Sequence, residues 1–177
     1  MTIAIIQARL TSTRLPGKVM EMINGKTMLD RIISRISICK EIDLMVVASP
    51  HDINVDIPIF IGDENDVLDR YYQCAKHYGA DTIVRITSDC PMIDPDIISF
   101  ALHYFRRKKY PYVYIAPVDG LDVEVFSIDM LREAWENTTE KSDREHVTLY
   151  MKRATKISVD TAEDLAKIRK LVNELEG

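Results

Sequence analysis

The sequence is short of the residues that mark several whole classes of protein. Three cysteines, Cys39, Cys74 and Cys90, are scattered through 177 residues. An odd number at wide spacing fits free thiols in a reducing compartment better than a disulfide framework. They and the four histidines show no Cys-x-x-Cys or His-x-x-x-His spacing, so no zinc site is expected. Six glycines and seven prolines are too few for a low-complexity or collagen-like chain. No apolar run approaches the roughly 18 residues that a spanning helix requires. The chain also opens directly on an apolar strand, without a basic leader or cleavage site, so a cytoplasmic protein with no membrane contact is expected. Positive charge is scarce as well. With 23 Lys and Arg against 28 Asp and Glu the formal charge is −5, which provides no field for duplex nucleic acid. The longest cationic run, Arg106 to Lys109, reads as a solvated helix end.

What is present is an alternation of buried strands and amphipathic helices. Ile3 to Ala8 is an apolar run suited to a strand buried on both faces. Met28, Leu29, Ile32, Ile33 and Ile36 recur at helical spacing within residues 27–39. Strands are expected at Leu44 to Ala48, Ile57 to Ile61 and Thr82 to Ile86. Between the last two lies a helix through Val67, Leu68, Tyr71, Tyr72, Ala75 and Tyr78, stopped by Gly79. A helix over Ile97 to Phe105 follows, then strands at Tyr112 to Ala116 and Val123 to Phe126. Helices are expected over Asp129 to Asn137 and Arg144 to Arg153. A last strand, Lys156 to Val159, precedes a helix over Ala162 to Leu175, opened by a capping box of Thr161 and Asp164. The pattern is that of a single α/β domain over 1–177, three-layered, with a mostly parallel sheet. In such sheets ligands bind beyond the carboxyl ends of the strands, where the strand order reverses.

Two of the loops at that edge carry chemistry. The first, Arg9-Leu10-Thr11-Ser12-Thr13-Arg14-Leu15-Pro16-Gly17-Lys18, packs three cations and three hydroxyls directly after the first strand. Guanidinium groups offer bidentate donors to phosphate oxygens, Lys adds a mobile point charge, and hydroxyls and amides complete a cradle for a polyphosphate. In an acidic protein, three cations at this edge are more than a solvated loop needs. Gly25-Lys26-Thr27 imitates the end of a Walker loop, but Met20 stands where the required glycine should be. No Gly-x-Gly-x-x-Gly fingerprint occurs, which argues against a nicotinamide enzyme.

The second loop, Thr87 to Asp96, follows the strand ending at Ile86. Asp89, just past that strand and facing the cationic loop, is a natural magnesium ligand. Asp94 and Asp96 could imitate the Asp-x-Asp of glycosyltransferases, but at a helix start they serve more simply as caps. Cys90 has no histidine near it in sequence and reads as a packed thiol. Asp160, between the last strand and the last helix, is open to either capping or metal binding.

These residues resemble the cytidylyltransferases that activate sugar acids, including the keto-deoxy-octulosonate and acylneuraminate enzymes. The resemblance is greatest to their relatives in spore-coat and surface polysaccharide biosynthesis. It rests on Ala8 to Lys18, Leu68-Asp69-Arg70-Tyr71-Tyr72, Arg85 to Pro95, Asp119 to Phe126, Arg144-Glu145-His146-Val147-Thr148 and Val159 to Leu165, in order and nearly end to end. It implies a nucleotide-diphospho-sugar transferase-like fold and a CTP-dependent reaction with magnesium. Carried over by position, Ala8, Arg9, Ser12, Arg14 and Lys18 would hold the nucleotide, with Arg85 and Ser88 near the nucleoside. Lys18, Arg14 and Asp89 would serve catalysis, while Asp89 and Asp160 would hold Mg2+ at one edge of the sheet. Asp122 and Glu124, two apart on a strand and so on one face, would meet the acceptor sugar.

Relative to the family, the chain lacks a helix between the Leu44 and Ile57 strands and is shortened between Ala116 and Asp119 and between Tyr150 and Lys156. The expected reaction is transfer of CMP from CTP to a sugar or sugar-acid hydroxyl, with release of pyrophosphate. A glycosyltransferase using a finished nucleotide sugar and a non-catalytic nucleotide-binding member are the alternatives. The resemblance also implies a homodimer, with Met130, Leu131, Trp135, Val147 and Met151 as its candidate apolar contact.

Overall fold

The computed structural model describes residues 1–12 and 14–176. Its main sheet has six strands in the order β5-β4-β1-β6-β8-β7. These are β1 (Thr2–Gln7), β4 (Leu44–Ser49), β5 (Ile59–Ile61), β6 (Thr82–Thr87), β7 (Tyr112–Ile115) and β8 (Val123–Ser127). β1 pairs in parallel with β4 and β6, and β4 with β5, whereas β8 runs antiparallel to both β6 and β7. The strand order reverses at β1. The chain leaves β1 to build β4 and β5 on one side, then returns to lay β6 on the other. The loops after β1 and β6 therefore face each other across the carboxyl edge.

Period-two alternation divides the core between the two faces. Ala4 and Ile6 of β1 pack with Val84 and Ile86 beneath α1 (Met28–Ile36) and α3 (Pro95–Lys108). Ile3 and Ile5 point the other way, against α2 (Val67–His77), α4 (Ile128–Asn137) and α6 (Leu149–Ala154), through Leu68, Tyr71, Leu131 and Met151. Most of the helix starts are capped as their sequences suggest. Thr27, Asp66, Asp94 and Ser127 each accept a backbone N–H in the first turn of α1, α2, α3 and α4. Asp94 is thus a cap.

Two local expectations are corrected. Residues 156–159 form no strand, so the chain enters α7 (Ala162–Glu176) from an irregular segment. The expected helix over Arg144 to Arg153 is two short helices, α5 (Lys141–His146) and α6, broken at Val147. Val147 lies at φ 60 and is fully buried, so packing of its side chain outweighs the strain that a β-branched residue bears there. Gly25-Lys26-Thr27 belongs to a hairpin of β2 (Met22–Ile23) and β3 (Lys26–Thr27). Both turn residues, Asn24 and Gly25, take positive φ, as a tight hairpin turn requires. Of the apolar residues expected at a dimer contact, four lie in the chain's own core and Trp135 is half-buried. Met130, Leu131, Val147 and Met151 are core, and Trp135 stacks on Tyr72 and donates to Asp69 at 2.8 Å.

An ion pair ties α5 to the start of α2. The Arg144 guanidinium donates to both carboxylate oxygens of Asp66, Nε to Oδ1 at 2.9 Å and Nη2 to Oδ2 at 2.5 Å. The same Asp66 caps α2. Arg144→Lys should destabilise the protein by about 1–2 kcal/mol in denaturant melts, because a point charge cannot bridge both oxygens. A melt unchanged from wild type would show that the fork is not needed.

Candidate active site

The loop after β1 is closed by its own backbone. Gly17 adopts φ +70 and donates its N–H to the Leu10 carbonyl at 2.8 Å, which turns the chain back over the end of the sheet. A 3-10 turn over Lys18–Met20 follows, anchored by buried Val19. The backbone pins the loop to its neighbours at two points. Ala8 donates to the Ala48 carbonyl at 3.2 Å, and Ser88 to the Gln7 carbonyl at 3.1 Å. The Thr11 hydroxyl donates to the Glu64 carboxylate.

Between this loop and the one after β6 is a cleft of about 480 Å3. Arg9, Ser12, Arg14 and Lys18 line one side; Arg85, Thr87, Ser88 and Asp89 line the other, with Gln7 between. Of the expected nucleotide set only Ala8 is absent from the wall, being buried with its N–H already bonded. Arg9 and Arg14 are exposed and make no hydrogen bond or ion pair among the described residues. Two such guanidinium groups framing a cleft in an acidic protein give it a local positive field that can attract an anion.

Lys18 Nζ stands 3.6 Å from Asp89 Oδ2 across the cleft. Partial burial pushes the Asp89 carboxyl up, but the Thr87 hydroxyl and the Lys18 charge outweigh it and hold the group below the usual carboxylate range. Asp89 therefore presents a carboxylate at neutral pH. Cys90 is buried, near the Thr87 hydroxyl at 3.3 Å, with its thiol raised first of all by burial. It is a packed thiol.

Arg85 and Glu124 face each other in the antiparallel register of β6 and β8 and form a buried ion pair. Glu124 Oε1 also accepts the Tyr112 hydroxyl at 2.7 Å and the Thr148 hydroxyl at 2.8 Å, and Lys152 Nζ lies 3.1 Å away. A second guanidinium nitrogen of Arg85 reaches Gln7 Oε1 at 3.3 Å. Arg85 thus belongs to the cleft and also to a recess of about 90 Å3 behind it, lined by Thr87, Tyr114, Asp122, Glu124 and Lys152. Asp122 and Glu124 do share this recess, although Glu124 is almost fully enclosed by its partners. The Asp122 carboxyl is pushed up by partial burial and then by Asp119, Glu124 and Asp89.

Asp160 does not line the cleft. It pairs with Lys156 at 2.7 Å, and Lys156 also holds Asp164 at 2.8 Å. Without a strand at 156–159, no element carries Asp160 to the sheet edge. The capping box does form, with Asp164 N–H donating to Thr161 Oγ1 at 3.1 Å and Thr161 N–H to Asp164 Oδ2 at 3.0 Å. Among the described residues no group of three His, Cys, Asp or Glu side chains converges as a metal cage.

Residue-by-residue reading of the sequence misses Arg70. Its guanidinium is buried near Arg9, donates to the Asp63 carbonyl through Nη1, and leaves Nε and Nη2 unpartnered. Gly62 makes room for it, since a Cβ there would stand 2.9 Å from Arg70 Cγ. Only its place in Leu68-Asp69-Arg70-Tyr71-Tyr72 could have singled it out.

Comparison with known proteins agrees with this geometry. The profile of the family described as Cytidylyltransferase matches residues 3–175. The chain is 36% identical over 160 residues to an uncharacterized protein of Methanocaldococcus jannaschii, covering 84% of this chain and 66% of that one. It is 32% identical over 165 residues to the spore coat polysaccharide biosynthesis protein SpsF of Bacillus subtilis, covering 84% of this chain and 68% of that one. The chain thus spans about two thirds of the length of these relatives. A solved cytidylyltransferase from Leptospira borgpetersenii superposes with a TM-score of 0.79 at 26% identity, covering 98% of this chain and 87% of that one.

The Arg85–Glu124 pair makes a prediction about pH. Arg85, Tyr112, Lys152 and Thr148 outweigh burial and hold the Glu124 carboxyl below its ordinary value. A depressed carboxyl stabilises the fold above its unfolded pKa, and that stability is lost as pH falls through the folded pKa. Glu124→Gln should cost about 3 kcal/mol at pH 7, because it leaves Arg85 buried without its counter-charge. The deficit relative to wild type should shrink on acidification below about pH 4.5, the ordinary carboxyl range. A deficit constant from pH 7 to pH 3 in urea melts would contradict the assignment.

Proposed function

We propose, from the premise that this chain belongs to the cytidylyltransferase family, that it transfers CMP from CTP to a hydroxyl of a sugar or sugar acid. Pyrophosphate is the leaving group. The observation that supports this reading is the cleft itself, with three cations of one loop facing one ionised carboxylate at the strand-order reversal. The acceptor oxygen attacks the α-phosphorus, forming the new ester bond as the bond to the bridging oxygen of the β-phosphate breaks. No protein nucleophile is required. Catalysis is then positioning and charge stabilisation, as in phosphoryl transfer generally.

In this reading Arg9, Arg14 and Lys18 hold the triphosphate, and Ser12 and Ser88 add short polar contacts from either wall. Lys18 exchanges its weak pairing with Asp89 for the departing pyrophosphate. Arg85 separates the nucleotide from the acceptor, and Asp122 receives the hydrogen bond of the attacking hydroxyl. Asp89 fits a magnesium ion, since Mg2+ commonly takes one or two carboxylates and fills its sphere with substrate phosphates and water. Asp89 would hold the ion, and it would supply positive charge against that of the triphosphate. Asp160, the second ligand that the resemblance implies, is engaged with Lys156, so Asp89 carries this role in the geometry described.

Several further features belong to the same reading. The printed name of the Bacillus subtilis relative supports a place in surface polysaccharide or glycoconjugate synthesis. No helix among the described residues is long and apolar enough to cross a membrane. The need for CTP as donor is what favours a cytoplasmic reaction. A homodimer would not draw on Met130, Leu131, Val147 and Met151, which are core. Ile157, Val159, Leu165 and Val172, exposed on and before α7, offer it a face.

The test separates outer phosphates from nucleoside. Lys18→Ala should weaken CTP binding by about 1.5–3 kcal/mol, the range for hydrogen bonds to charged groups, and CMP binding much less. Equal losses for CTP and CMP in calorimetric titrations would show that the loop is not a triphosphate site.

A further inference from the structure

Gln7 stands in the cleft between the cationic loop and the β6 wall, with half of its side-chain amide unused. It is the last residue of β1, and the period-two pattern fixes its direction. Ile3 and Ile5 pack on the α2 side of the sheet, so Gln7 follows them onto that side. Arg85 is the register partner of Ile5, and Thr87 is that of Gln7. Gln7 is therefore one row nearer the carboxyl edge than the pair of Arg85 and Glu124. The bond to Arg85 also fixes which end of the amide faces a ligand. Arg85 Nη2 donates to Gln7 Oε1 at 3.3 Å. A guanidinium can only donate, so the amide oxygen turns towards it and the NH2 group turns away. Gln7 Nε2 makes no hydrogen bond among the described residues. Its two N–H groups are thus spare donors on a side chain anchored by its oxygen.

The outer phosphates belong to Arg9, Arg14 and Lys18, and the attacking hydroxyl to Asp122. The α-phosphorus has to lie between them, where the cleft and the recess share Arg85 as a wall. Arg85 itself is committed there, with one guanidinium nitrogen on Glu124 and another on Gln7. We propose that Gln7 is a catalytic residue whose Nε2–H donates to a non-bridging oxygen of the α-phosphate. As the acceptor oxygen bonds to the α-phosphorus, the bond to the bridging oxygen of the β-phosphate breaks. The hydroxyl proton passes to Asp122, and pyrophosphate departs. Gln7 gives up no proton in this step. It holds the α-phosphate in line for attack and, as a donor already fixed in place, stabilises the charge on its oxygens. This rests on the cytidylyltransferase reading, and it deepens that reading by naming the group that handles the reacting phosphate.

The experiment separates the α-phosphate from its neighbours. In calorimetric titrations Gln7→Leu should weaken CMP binding about ten-fold, as loss of one hydrogen bond to a charged group predicts. Cytidine lacks the α-phosphate, and inorganic pyrophosphate occupies only the cationic loop, so both should stay within about two-fold of wild type. Pyrophosphate release from CTP should slow at saturating substrate as well. Gln7→Glu tells a donor from a prop for Arg85. It keeps an acceptor for the guanidinium but offers no N–H to phosphate at neutral pH, so CMP binding should fall at least as far. Thermal melts check that both variants fold, and if Gln7→Leu does not, Gln7→Glu alone decides. CMP affinity retained in Gln7→Glu makes Gln7 a prop and overturns the inference. So does an equal loss of cytidine and CMP, or a loss of pyrophosphate binding that matches that of CMP. A wild-type chain that binds neither CTP nor CMP overturns the parent reading and this one with it, whereas CTP turnover indifferent to both substitutions overturns only the role of Gln7.

Discussion

The ion pair between Arg85 and Glu124 is the constraint around which the functional edge is arranged. The two residues are register partners on β6 and β8, so the pair can form only where the sheet changes from parallel to antiparallel. Burying both charges is costly, and the cost is met because Glu124 collects the Tyr112 and Thr148 hydroxyls and Arg85 reaches Gln7. One acid thereby fixes residues from β1, β6, β7, β8 and the start of α6. The guanidinium held in this way forms a wall common to the large cleft and the small recess. Separating a nucleotide from an acceptor by a single rigid side chain is a compact way to align one for attack on the other.

The second constraint is topological. β1 has parallel neighbours on both sides, and the chain leaves it in one direction and returns on the other. That places Arg9, Arg14 and Lys18 opposite Asp89 without any long loop having to reach across. The rigid parts are the strand ends and the closed turn at Gly17; the unpaired parts are the two guanidinium groups. Binding energy can be drawn from two guanidinium groups that make no ion pair among the described residues.

Much of this was legible in the residues, and the limits have physical reasons. Strands buried on both faces and helices of clear periodicity were placed closely, because burial imposes those patterns whatever the neighbours. Arg9 to Lys18 and Asp89 stood out because position after a strand is enough to bring such groups to one edge. Val147 could not be read: a β-branched residue at positive φ is set by tertiary packing that local preference opposes. Lys156 to Val159 has the composition of a strand, but no edge of the sheet is paired with it. Asp160 was tied to that missing strand. Glu124 was expected to meet the acceptor and is instead enclosed by Arg85, Tyr112, Thr148 and Lys152; whether a strand carboxylate faces outward or a buried arginine depends on the register, which one sequence does not display. Arg70, Tyr114 and Lys152 gain their meaning only from distances.

The central claim is that the cleft binds CTP for transfer of its CMP. The most direct measurement is pyrophosphate release with magnesium present, using CTP, UTP, ATP and GTP in turn against a panel of sugar acids and sugars. The account predicts release from CTP that depends on a sugar or sugar-acid acceptor, with one CMP-linked product formed for each pyrophosphate. CTP binding without pyrophosphate release on any acceptor would contradict it and leave a non-catalytic nucleotide-binding protein. Consumption of a preformed nucleotide sugar without pyrophosphate would contradict it too, in favour of a glycosyltransferase.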